Sequence, residues 1–270
     1  MPTYKLTIEY EGTRYSGWQT QGNTPRTIQG KLVAAARQLA PGADLGGAGR
    51  TDAGVHAAGQ VAHLRLKSKI DPRGFSQKMN DLLPADIHIL NIEPAAERFH
   101  ARHDADSRVY LYQISRRRTA FAKPFVWWIK DSLAVESMAR CAPSLLGKHD
   151  FASFSDQRNT NESTLVVIER VEVGEDGDLI LIRIQASHFL WKMVRKLVAM
   201  LVEVGRGAVM VDEFVAAIER PSAPFRPTAP PSGLFLEAVT YAGQLYDRPL
   251  HPIVPVESRR NPTRQGERKR

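Results

Sequence analysis

A single cysteine, Cys141, stands among 270 residues. One thiol can close no internal disulfide and build no cysteine-based zinc site, and its isolation suits a reducing compartment, so a cytoplasmic protein is expected. Metal-ligand spacing is missing too. The eight histidines include no H-E-x-x-H or zinc-finger pattern, and His56 with His63, or His100 and His103 with Asp104 and Asp106, read as hydrogen-bonding or surface side chains. No metal is expected. Long apolar runs are absent: the stretch 197–202 is far short of the ~20 residues a membrane helix needs, and the N-terminus shows no apolar signal segment. No G-x-G-x-x-G opens a helix and no G-x-x-x-x-G-K-[ST] occurs, which disfavours a nucleotide loop.

What is present is a globular composition, 43% apolar and 24% charged, with a net charge of +8. That balance favours a polyanionic partner: RNA, DNA or anionic lipid. Half of the excess lies in residues 246–270, where seven Lys and Arg face three acids for a net +4. The tail is Pro- and Arg-rich without period and reads as flexible, the alternative being that 253–256 tucks against the body. The body itself is only mildly basic.

Periodicity divides the chain into two similar halves. Tyr4, Leu6, Ile8 and Tyr10 alternate with polar residues as a half-buried strand. Thr27 caps a helix to about Ala40, and Asp71-Pro72 opens another. Strands are expected over 59–66 and 86–92, and a short one before Gly46. In the second half, strands over 108–115, 165–173, 179–184 and 234–241 alternate with helices over 132–146, 188–204 and 211–220, with Gly147 just past the first of these. The first half reads β-α-β-β-α-β and the second the same with one extra helix, β-α-β-β-α-(α)-β. The expected fold class is therefore α+β: two tandem split-βαβ domains, residues 1–104 and 105–245, each with its own antiparallel sheet, and a cleft between them.

The densest chemistry lies in Gly46-Gly47-Ala48-Gly49-Arg50-Thr51-Asp52-Ala53-Gly54-Val55-His56. Small residues there permit tight turns and close approach of a ligand. On spacing alone, Arg50 and Asp52 fit a solvated ion pair as well as a site. By pattern, Tyr110 is a core strand residue. Lys192, Arg195 and Lys196 form a basic stripe on a helix whose other face is core.

The run Gly49-Arg50-Thr51-Asp52-Ala53-Gly54-Val55-His56-Ala57, followed by Gly59-Gln60-Val61, resembles the signature of the bacterial tRNA pseudouridine synthase A family. Further segments resemble it in order, among them Tyr10-Glu11-Gly12-Thr13-Arg14-Tyr15-Ser16-Gly17-Trp18-Gln19, Phe99-His100-Ala101-Arg102, Arg108-Val109-Tyr110-Leu111-Tyr112 and Gly233-Leu234-Phe235-Leu236. The likeness runs from about Thr3 to Tyr241. It implies Asp52 as the catalytic aspartate, Tyr110 on the target base, Arg195 paired with the aspartate, and Arg50 helping to displace the base. It also implies a homodimer that isomerises uridines 38, 39 and 40 of the tRNA anticodon stem-loop without metal or organic cofactor. The sequence departs from the family's usual pattern at His103, at Ala199, in the strand 164–168 and in the basic tail.

Uridine and pseudouridine are isomers, so no redox partner or group donor is required. Asp52 could attack C6 of the base or C1′ of the sugar, or abstract the C2′ proton. Flipping a stacked uridine costs a few kcal/mol, which phosphate contacts offset. Basic candidates for those contacts are Arg14, Arg102, Arg108, Lys192 and Lys196, with Arg26 and the run Arg116-Arg117-Arg118 beside them. Competing readings are a non-catalytic RNA binder, a synthase with another RNA target, and a hydrolase pairing Asp52 with His56.

Overall fold

The computed structural model describes residues 1–156, 163–220 and 224–257. Ten strands are β1 (Thr3–Tyr10), β2 (Asp44–Gly47), β3 (His56–Arg65), β4 (Ile87–Ala95), β5 (Ala105–Ser115), β6 (Trp127–Trp128), β7 (Gly147–Asp150), β8 (Leu165–Asp176), β9 (Leu179–Ala186) and β10 (Leu234–Tyr241). Five α-helices are α1 (Ile28–Leu39), α2 (Pro72–Leu82), α3 (Val135–Leu145), α4 (Met193–Gly205) and α5 (Val211–Glu219).

Local chemistry accounts for most of these boundaries. Thr27 accepts a hydrogen bond from the Gly30 amide at the start of α1, and Asp71 does the same for Gly74 at α2, which satisfies amides that the first helical turn leaves orphaned. Gly147 takes a φ of 94° just beyond α3. The β8–β9 hairpin closes on two residues, Gly177 and Asp178, since Asp176 already pairs with Leu179. Two expectations shift. The strand expected over 59–66 begins at His56, inside the signature run, and the helix expected from residue 188 begins only at Met193.

Two separate sheets are not what forms. The strands lie in one sheet of order β4-β1-β3-β10-β5-β9-β8-β7, with β2 added on β3 and β6 on β5. The strand that joins the halves is β10. It runs antiparallel to β5 and parallel to β3, pairing Phe235 with His56 and Leu236 with Ala57. Further along the same edge of β3, Ala62–Arg65 pair with β2 instead. The sheet therefore forks where β10 leaves and β2 begins. At that point a Cβ on Gly59 would lie 2.6 Å from the Glu237 carbonyl oxygen, so the close approach of β10 requires glycine.

One apolar cluster joins all five helices to one face of the sheet, through residues such as Leu6, Ile8, Leu32, Met79, Tyr112, Ile182, Leu197 and Phe214. The other face of the second half is also covered. Leu111, Leu179 and Leu181 pack with Ala122, Val126, Ile253 and Val256. This corrects the reading of a flexible tail from residue 246. Gln113 accepts from the Ile253 and Val254 amides. Buried Arg183, paired with Glu237 through two 2.8 Å hydrogen bonds, also donates to the Arg248 and Pro249 carbonyls. Without the segment to Glu257, Leu111, Leu179, Leu181 and a buried guanidinium would lose part of their cover. The basic residues from Arg259 to Arg270 lie outside the described residues.

Candidate active site

Residues 48–55 connect β2 to β3 at the fork, and nearly every turn of this loop is tied down. The Ala48 amide donates to Val61 O (2.7 Å), the Gln60 side chain donates to Gly49 O (2.9 Å), and Trp18 N donates to Thr51 O (3.0 Å). The buried Tyr10 hydroxyl meets Thr51 Oγ1 at 2.8 Å. A Cβ on Gly47 would strike the Trp18 ring at 2.4 Å. This glycine is small to admit a tryptophan rather than a ligand, whereas Gly49 faces open space. A loop so fastened presents Asp52 in one position.

Asp52 is a quarter exposed, and its Oδ2 accepts from Arg195 Nη1 at 3.1 Å. Arg195 sits in the first turn of α4 and is 13% exposed. Its Nε donates to Ala229 O (2.8 Å), and the Ala229 amide returns a bond to Arg195 O (3.0 Å). The guanidinium is thereby held on two sides before it meets the carboxylate. The pairing of Arg195 with Asp52, 143 residues apart in sequence, is present in the geometry.

Asp52, Arg195, Arg50 and Tyr110 all line one cleft of about 1210 Å3. Tyr110, on β5, is nearly buried and meets the edge of Phe189 at a centroid distance of 5.0 Å. Burial, with Tyr10 and Asp52 nearby, pushes its phenol pKa well up, so it stays protonated at neutral pH. Arg50 is exposed, and its Nε donates to Gln19 Oε1 (3.1 Å). Gln19 in turn donates to Gln29 of α1 (2.7 Å). Gln19, Gln60, Trp18 and Thr51 are site residues that periodicity did not reveal. Their only signal was membership in segments that resemble the family.

The basic candidates divide. Arg102 is exposed, lines the cleft and has no ion pair among the described residues. Arg14 is exposed and bonded to Asp86 (2.8 Å). Arg108 is largely buried, and its guanidinium donates to the carbonyls of Ala105, Ser187, Ala48 and Arg102. It is a strut between the catalytic loop and the segment before α4. Lys196 is 3% exposed and bonds Phe225 O and Asp156, so the expected stripe on α4 is not a solvated face. Lys192 lies before the helix with φ 62°, the one described non-glycine residue with positive φ, and reaches Asp156 Oδ2 at 2.7 Å. The two lysines, Lys192 first, hold the Asp156 carboxyl below its usual range. In the arginine run, Arg116 pairs with Glu175, Arg117 with Asp178, and Arg118 lies over Trp128. None of the three lines the cleft.

His56 does not serve Asp52. Its Nδ1 accepts from the Gly12 amide (3.0 Å), its Nε2 bonds Pro124 O (2.9 Å), and its ring stacks on Phe235. Burial lowers its pKa. A hydrolase built on Asp52 and His56 is thus set aside. Among the described residues no group of three or more His, Cys, Asp or Glu is placed to hold a metal ion, and no helix is long and apolar enough to cross a membrane.

Comparison with known proteins gives the same direction. The family model described as tRNA pseudouridine synthase matches residues 6–104 and 141–242. A protein named tRNA pseudouridine synthase A 2 from Bacillus anthracis is 36% identical over 245 residues, 89% of this chain and 100% of its own. One named tRNA pseudouridine synthase A from Brucella ovis is 40% identical over 250 residues, 90% and 99% respectively. The chain belongs to the tRNA pseudouridine synthase family.

Proposed function

We propose that this chain isomerises uridine to pseudouridine in tRNA, at positions 38, 39 and 40 of the anticodon stem-loop, with Asp52 as the reacting carboxylate. What supports the reading is a half-buried carboxylate on a fastened loop, bonded to Arg195 and open to a cleft with Tyr110 in its wall. Arg195 lies within hydrogen-bond distance of that carboxylate, 3.1 Å from its Oδ2, and orients it toward the cleft. If the carboxylate attacks C1′, the N1–C1′ pair departs with uracil; the base turns, C5 takes C1′, the ester bond breaks, and the C5 proton is exchanged for one on N1. Attack at C6, or removal of the C2′ proton, closes the same isomerisation without net redox change. Tyr110 offers a flat wall on which the freed base turns.

Arg50, an exposed residue of the cleft lining, is assigned to fill the gap left by a displaced base. Arg102 and Arg14 are the exposed cations of the proposed RNA-contacting set. The two halves are read as tandem split-βαβ units whose sheets are fused through β10, with residues 105–245 carrying Tyr110 and Arg195 to a catalytic loop in residues 1–104. The family resemblance extends the proposal to a cytoplasmic homodimer that needs neither metal nor organic cofactor.

The test is pseudouridine formation on an anticodon stem-loop transcript, comparing wild type with Asp52→Ala. Conversion by wild type alone, with RNA bound by both, supports the assignment. Binding by both and conversion by neither replaces it with an RNA-binding function or a different substrate.

A further inference from the structure

The cleft is larger than one uridine requires. Pockets for small ligands run about 300–1,000 Å3, and this one continues past Asp52 into an arm lined by Asp44, His63, Arg65, His100, Arg102 and His188. Taken whole, the cleft is lined by six Lys and Arg against two carboxylates, Asp44 and Asp52, although the body is only mildly basic. In the arm, Arg65 is engaged by Asp44 (3.4 Å) and by Phe99 O (3.2 Å). Arg108 is spent on four carbonyls. Arg102 is left exposed, without an ion pair among the described residues.

Imidazoles surround it. The rings of His63, His100 and His103 step outward at 4.5 and 4.2 Å between centroids. Nδ1 of His100 accepts from the Arg102 and His103 amides, so its proton lies on Nε2. His188, exposed, lines the same cleft, its Nδ1 near Ser187 Oγ (3.1 Å). The charged groups facing His188 are Arg108 on β5 and Arg102 on the loop after β4. Partial burial first, then Arg108 and Arg102, hold its pKa below the ordinary histidine value. Asp104 lies on the far side, bonded to the His100 amide. The arm thus offers N–H donors and a guanidinium with no ion pair among the described residues, a donor set whose chemistry suits an anion.

We propose that this arm is a second RNA subsite, in which a backbone phosphate sits between Arg102 and His188 while the target uridine is at Asp52, and that His188 takes up a proton when the phosphate binds. The inference rests on the proposed action on RNA and adds the place and the pH linkage of one backbone contact. A phosphate favours the charged imidazole that partial burial, Arg108 and Arg102 disfavour. By linkage, affinity is lowest above the pKa of the bound state and tightens as pH falls from there toward the pKa of the free state, by at most about tenfold per pH unit for one proton.

The test is the dissociation constant of a fluorescent anticodon stem-loop from pH 5.5 to 8 at fixed ionic strength, for wild type, His188→Gln and Arg102→Gln. Subtracting the His188→Gln profile removes titration of the RNA and of other groups. The expected result is tighter binding by wild type at low pH, a flattened profile for His188→Gln, and a KM raised more than kcat is lowered. For Arg102→Gln, the slope of log affinity against log salt should fall by about one contact, near 0.7–0.9. A wild-type profile parallel to that of His188→Gln overturns the proposal, as does an unchanged salt slope in Arg102→Gln. Both readouts are binding measurements. Tight, pH-linked binding without pseudouridine formation would count against the proposed reaction and leave the subsite standing.

Discussion

Arg108 separates two accounts of the same residue by measurement. As a phosphate contact it would be dispensable to folding; as a strut it is not. Arg108→Met keeps most of the side-chain volume and deletes the guanidinium. Four hydrogen bonds disappear, one to Ala48 O in a buried setting at 2.9 Å and three to the part-buried carbonyls of Ala105, Ser187 and Arg102 at 2.7–3.2 Å. Hydrogen bonds to charged groups are worth about 1.5–3 kcal/mol each, an upper bound near 6–12 kcal/mol for the set. Water can reach three of the carbonyls, and the buried cation itself carried a desolvation cost, so a net loss of about 3–5 kcal/mol is expected. For a chain of this size each kcal/mol lowers Tm by roughly 2–4 °C, giving a drop of about 6–20 °C. Thermal denaturation followed by circular dichroism measures it, alongside RNA affinity across a salt series at a temperature where the variant is folded. A Tm within about 2 °C of wild type, combined with a salt slope reduced by about one, would refute the strut and restore the phosphate contact.

Other consequences can be checked in parallel. Arg195→Lys keeps a positive charge but cannot span both Ala229 O and Asp52 Oδ2; losing one charge-assisted bond of about 1.5–3 kcal/mol should lower single-turnover kcat about tenfold to a hundredfold with RNA affinity little changed, and a variant within twofold of wild type would contradict the role. A chain ending at Leu245 should melt well below one ending at Glu257, because it uncovers Leu111, Leu179 and Leu181 and takes two carbonyl partners from buried Arg183; equal Tm values would mean that the segment contributes nothing. His63 is held at about 4 in the folded state, by burial first and then by Arg65 and His100. The unfolded chain therefore binds the proton first as pH falls below 6.5, and stability declines from there to about pH 4, by at most about 1.4 kcal/mol per unit for this group. In urea titrations His63→Gln should flatten that decline relative to wild type.

Much of the secondary structure was legible because its causes are local. The alternation from Tyr4 to Tyr10, the Thr27 and Asp71 caps and the glycine after α3 act within a few residues of where they stand. Misreadings followed the same rule. The start of α4 moved from 188 to Met193 because Lys192 adopts a left-handed conformation that no periodicity announces. The tail read as flexible because its prolines and charges conceal Ile253 and Val256, whose value appears only against Leu111 and Leu181. Lys196 passed for a solvated cation because its partners, Asp156 and Phe225 O, are 40 and 29 residues away.

The sequence by itself determined the family, through a contiguous run around Asp52 too unusual in composition to arise from helix or strand patterning, and it determined the five helices and all the strands except the short β6 and β7. Tertiary structure alone decided that two halves share one sheet. Edge pairing is a long-range choice, and β10 makes it by laying Phe235 and Leu236 beside His56 and Ala57 where Gly59 leaves room. It also decided which cations are free. Burial and partner distance set whether a guanidinium is a strut or a ligand-binding group, and those quantities are fixed only when residues such as Asp52 and Arg195 meet across the fold.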